Sequence, residues 1–150
     1  MKLNYFFLTA VFFSHSALAQ PVTVSDGWVR ATVQGQRATG AFMRLTAKES
    51  AKLVAGSSSA AGIVELHEMK MDNDVMKMTP LTNGLDLPIG KTVELKPGGN
   101  HIMLMDLKAP LAVNSNVSVT LTFQDAKGKK FSQELNLPVK ALTSAGEHKR

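Results

Sequence analysis

Residues 117–123 read Val-Ser-Val-Thr-Leu-Thr-Phe, apolar at every odd position and hydroxyl-bearing at every even one. Successive side chains of a β-strand point to opposite faces, so this run makes a strand with one face for a core and one for water. A helix would scatter the same residues around its circumference. Shorter runs of the same kind fill most of the chain: Val22, Val24 and Trp28; Ala41–Leu45 after Gly40; Leu53-Val54; and Val93 with Leu95 before Pro97-Gly98-Gly99. Between them lie turn signals. Residues 56–62 are a loop of small residues, Asn83-Gly84 is a type I′ hairpin signal, and Asp125–Lys130 is a solvated turn into a returning strand over Phe131–Val139. Only residues 47–53 suggest a short helical turn. About eight or nine short strands, with turns every eight to twelve residues, predict a single all-β domain, either an antiparallel sandwich or a Greek-key barrel.

The first nineteen residues stand apart. Met1 and Lys2 give a positive start, Tyr5–Phe13 is apolar, and Ala17-Leu18-Ala19 is an A-x-A cleavage site. Residues 1–19 are therefore expected to be a signal peptide cut after Ala19, leaving an exported chain. The apolar run is too short for a stable membrane anchor. The β domain is expected over residues 20–142, as a monomer, with a flexible tail over 143–150.

Composition closes off several chemistries. The chain has no cysteine. That excludes a disulfide framework, a thiolate nucleophile, an iron–sulfur cluster and a cysteine-based zinc site. The formal charge of +5 falls to +4 once Lys2 is removed. The remaining Lys and Arg are mostly scattered and are not interleaved with aromatics, so nucleic acid is not an expected partner. Paired carboxylates and a Ser-His-Asp order are both missing, and no enzyme activity is expected.

The methionines carry the positive argument. Six of the seven methionines after the signal peptide, and two of its three histidines, lie between residues 67 and 105. On strands, His67, Met69 and Met71 share a face, as do Met76 and Met78, and as do His101, Met103 and Met105. A hairpin through Asp72-Asn73-Asp74 lays the first two sets side by side, with cross-strand Cβ atoms about 4.5–5.5 Å apart. Ile102 and Leu104 take the opposite face, where a core wants them. Thioether sulfur is soft and neutral and selects monovalent copper, which imidazole also suits. Zinc gains little from methionine. A single methionine is ordinarily core filler; three strands with His or Met at alternating positions need a further reason.

His67-Glu68-Met69, Met78 and His101-Ile102-Met103 resemble the motif of the periplasmic copper chaperone family usually called PCu(A)C. That motif is His, ten residues, Met, about twenty-one residues, then His-x-Met. Here ten residues separate His67 from Met78 and twenty-two separate Met78 from His101. Trp28-Val29-Arg30-Ala31, Thr39-Gly40-Ala41-Phe42-Met43 and Leu95-Lys96-Pro97-Gly98-Gly99 also resemble the family. The resemblance implies a cupredoxin-like β-sandwich holding one Cu(I) per chain through His67, Met78, His101 and Met103. Met69, Met71, Met76 and Met105 are neighbouring candidates. It further implies delivery to the dinuclear copper centre of cytochrome c oxidase, alone or with a Sco-type thiol protein. Storage or tolerance without a dedicated acceptor is the alternative. Some members carry a second copper site on a His- and Met-rich tail; here the tail offers only His148.

Overall fold

The alternation of residues 117–123 is realised in a strand over Asn116–Asp125, where Val117, Val119, Leu121 and Phe123 are buried and the residues between them are half-exposed. The computed structural model describes residues 20–141, and among them ten strands. The signal peptide expected over 1–19 and the tail expected over 143–150, with His148, lie outside the described residues. In chain order the strands are β1 (Val22–Arg30), β2 (Ala38–Ala47), β3 (Ala51–Ser58), β4 (Ala61–Asp72), β5 (Val75–Pro80), β6 (Leu85–Leu87), β7 (Thr92–Leu95), β8 (His101–Leu107), β9 (Asn116–Asp125) and β10 (Lys130–Lys140). The β9–β10 turn is the solvated one expected. The Asp125 carboxylate accepts the amides of Lys127 and Lys129 at 2.9 Å each, and Gly128 turns the chain at φ 83°.

Hydrogen-bonded neighbours run β5-β4-β8-β2-β1-β10-β9-β3-β6, with β7 also on β2. Every pairing is antiparallel except β1 with β10, joined in parallel at Val29↔Val139 and Arg30↔Lys140. That junction divides two halves whose inner faces share one core. Leu45, Ile102 and Leu104 come from one half and Leu53, Leu121 and Phe123 from the other, all essentially without exposure.

Three local expectations are corrected. Residues 47–53 make no helical turn: Ala47 ends β2, and Ala51 already begins β3, paired with Leu87 of β6 and Asp125 of β9. Tertiary pairing there overrides a weak local preference. The small residues 56–62 are mostly strand rather than loop. A Cβ on Gly56 would lie 2.8 Å from Val64 Cγ1, so their smallness lets β3 approach β4. Asn83-Gly84 is a turn, with Gly84 at φ 77°, but joins no hairpin. The flanking β5 and β6 pair with β4 and β3, and the turn carries the chain from one half to the other.

Candidate metal centre

β4 and β8 lie side by side in the register Glu65↔Met103, Leu66↔Ile102 and His67↔His101. Leu66, Ile102 and Leu104 turn into the core. The alternating positions His67, His101 and Met103 therefore share the other face. β4 then runs on past the core. Glu68 and Lys70 take over the positions in line with Leu66, and both are at least partly exposed. Asn73 and Asp74, at φ 49° and 62°, supply the two left-handed residues of a tight hairpin turn. β5 returns with Met69↔Met78 and Met71↔Met76 opposite each other, all six of its residues exposed. Lys70 pairs with Glu68 and Lys77 with Asp72 along this projecting hairpin.

The far side of the site comes from β1 and β2. Gly40 lies opposite Met103 in the β2–β8 ladder. A Cβ on Gly40 would lie 2.6 Å from Phe42 Cζ, so glycine is what lets the Phe42 ring lie back across the strand. Phe42 then packs against Trp28 at 4.7 Å and His101 at 6.3 Å between ring centroids. The Arg30 guanidinium sits 5.6 Å from the Phe42 centroid.

Hydrogen bonding sets the imidazoles. His101 Nδ1 lies 2.9 Å from the Gly99 carbonyl, which can only accept, so Nδ1 carries the proton. The Nε2 lone pair is left free and lies 3.1 Å from Met78 Sδ. With Nδ1 carrying the neutral ring's one proton, neither atom donates to the other. Two electron-pair donors facing each other at this range can share a proton or a soft cation. His67 is arranged in the same sense. Its Nε2 is 2.8 Å from Glu65 Oε2, an acceptor, while Nδ1 is buried and unpartnered. A buried nitrogen without a partner is costly in a purely structural role. The two rings meet edge-on, 5.8 Å apart at 71°, each residue 7% exposed.

Met69, Met78, His101 and Met103, with Phe42 and Arg30, line a pocket of about 340 Å³. Of the residues predicted from sequence, Met78, His101 and Met103 thus share one wall, joined by Met69. His67 touches the His101 ring without lining that wall. Met71 and Met76 lie at the exposed end of the hairpin, and Met105 lies farther along β8, opposite Ile63 and Ala38. Met43, at 1% exposure, is a core residue. Sequence reasoning missed Glu65 and the Gly99 carbonyl. Glu65 was detectable, since two positions before His67 it shares that face; a backbone carbonyl leaves no sequence signal. Among the described residues, no three His, Asp or Glu side chains converge on a hard-donor metal site. The donors gathered here are imidazole nitrogen and thioether sulfur.

The sequence model of the LpqE-like family matches residues 22–137. A protein of Leifsonia xyli subsp. xyli named "Putative lipoprotein Lxx21020" is 38% identical over 130 residues, covering 87% of this chain and 76% of that protein. The apo PCuAC domain of PmoF1 superposes with a TM-score of 0.62 at 22% identity, over 81% of this chain and 95% of that domain. The Cu(I) form of DR1885 from Deinococcus radiodurans superposes with a TM-score of 0.59 at 32% identity, over 85% of this chain and 84% of that one. The fold is cupredoxin-like, and the chain belongs to the LpqE-like family of PCu(A)C domains.

Proposed function

We propose that this protein is a periplasmic copper chaperone. It binds one Cu(I) per chain through His67, Met78, His101 and Met103 and hands the ion to the dinuclear copper centre of cytochrome c oxidase, alone or with a Sco-type thiol protein. The observation that carries the reading is the pair His101 Nε2 and Met78 Sδ, a nitrogen and a thioether sulfur 3.1 Å apart, with the ring's Nδ1 held on the Gly99 carbonyl. The orphaned His67 Nδ1 and the adjoining Met103 supply the remaining donors. All four groups are neutral and two are soft, which suits a monovalent d¹⁰ ion and leaves little to attract zinc. The site lacks the thiolate of blue-copper electron-transfer centres, so carriage fits the donor set better than electron transfer. Export is supported by the signal-like residues 1–19 and by the lipoprotein description of a relative.

Delivery over storage is favoured by access. Met78 is 47% exposed on a strand whose every residue is exposed, so an incoming ligand can reach the ion from the hairpin side. The test is competition of the mature protein against a chromophoric Cu(I) chelator, repeated with Zn²⁺. One tightly bound Cu(I) and far weaker zinc are expected; zinc preferred over Cu(I) overturns the assignment.

A further inference from the structure

Met71 and Met76 face each other across the β4–β5 ladder, two rungs beyond Met69 and Met78 toward the turn. Residues two apart on a strand share a face, so both pairs belong to one face of the hairpin, roughly 7 Å apart along it. Met71 is 61% exposed and Met76 46%. Neither fills the core, and an exposed edge strand gains little from a large apolar side chain. Directly opposed Cβ atoms lie about 4.5–5.5 Å apart, and methionine's three rotatable bonds let two sulfurs converge on one ion. The alternate positions, Lys70 and Lys77, are engaged with Glu68 and Asp72, which leaves the sulfur-bearing face clear of ammonium groups.

We infer that Met71 and Met76 form a second, outer Cu(I) site, through which the ion passes between the inner donors and another protein. The inference rests on the copper reading above. Two thioethers without an imidazole bind more weakly than the inner set, as a way-station requires. In each step one Cu–S or Cu–N bond to the inner donors breaks as a Cu–S bond to Met71 or Met76 forms. Copper remains monovalent, and a thioether has no proton to gain or lose.

The test is a titration of wild-type protein, labelled with ¹³C at the methionine ε-methyls, with Ag(I) as an air-stable d¹⁰ probe and then with Cu(I). The first equivalent is expected to move the Met78 and Met103 methyls. A second, binding at least about tenfold more weakly, is expected to move Met71 and Met76 together. The double variant Met71→Leu/Met76→Leu should take up one equivalent instead of two and release Cu(I) to a chelator about tenfold more slowly. Met71 and Met76 methyls that stay unmoved in excess metal, or a release rate equal to wild type, would overturn the outer site alone. A first equivalent that leaves the Met78 and Met103 methyls unmoved would overturn the copper reading with it.

Discussion

His67 and His101 stand directly opposite each other in the β4–β8 ladder, their ring centroids 5.8 Å apart and their planes at 71°. The register that pairs them also pairs Leu66 with Ile102, and both of those are buried. A one-residue slip would send the imidazoles into the core and the aliphatic pair into water. The burial of Leu66, Ile102 and Leu104 therefore fixes which side chains can meet on the other face. The site depends on a register that the core enforces.

Met78→Leu should separate binding from folding. Met78 is half-exposed on an edge strand, so the change should alter stability by no more than about 0.5 kcal/mol. It removes the sulfur that faces His101 Nε2, and Cu(I) affinity should fall by more than about a hundredfold, beyond the effect typical of groups that only orient a ligand. Chelator competition and thermal melting on the same preparation check both halves. A Met78→Leu protein that still holds Cu(I) at wild-type strength would remove Met78 from the site.

Glu65 acts through His67. Its carboxylate accepts from Nε2 and so leaves Nδ1 as the nitrogen with a free lone pair. Glu65→Ala should weaken Cu(I) binding by about 10–100-fold, while Glu65→Gln, which keeps an acceptor oxygen, should recover most of the loss. Imidazole ¹⁵N shifts report the tautomer directly. An unchanged His67 tautomer in Glu65→Ala would count against this role.

Much of this was legible in the sequence, for identifiable reasons. The β9 pattern follows from alternation alone, and so does the shared face of His101 and Met103. The hairpin that opposes Met69 to Met78 followed from a polar turn between two alternating runs. The sequence did not reveal where the turn at Asn83-Gly84 leads, because local turn chemistry sets a bend and not its partners. The parallel β1–β10 junction and the conversion of residues 51–53 to strand are long-range pairings, invisible to local periodicity. His67's edge-on packing against His101 and its contact with Glu65 are side-chain arrangements that no spacing rule encodes.

Gly40→Ala should disturb the site from behind. A Cβ at Gly40 would meet Phe42 Cζ at 2.6 Å, and Phe42 is 4% exposed, with Trp28 on one side and His101 on another. The ring must shift at a cost of about 1–3 kcal/mol, and its displacement moves His101. Lower thermal stability and weaker Cu(I) binding are expected together. Adding Phe42→Leu, which removes the clashing ring atoms, should recover both in part. A Gly40→Ala protein as stable as wild type would mean that Phe42 has room elsewhere.

Handover should require contact between donor and acceptor. A buried cage releases a metal only after opening, and the freed ion then diffuses to its destination. Here Met78 is 47% exposed, the β4–β5 hairpin projects beyond the core, and Lys96–Asn100 forms the turn that enters His101. A thiolate from an acceptor can therefore approach Cu(I) and displace the donors one at a time, passing through a complex in which both proteins hold the ion. Departing thioethers take up no proton, so the exchange does not wait on one. Copper-loaded protein mixed with an apo thiol-bearing acceptor should pass on its Cu(I) within minutes, whereas the same pair separated by a dialysis membrane should transfer far more slowly. Equal rates in the two arrangements would mean that copper leaves as a free ion, and the exposed hairpin would then need another explanation.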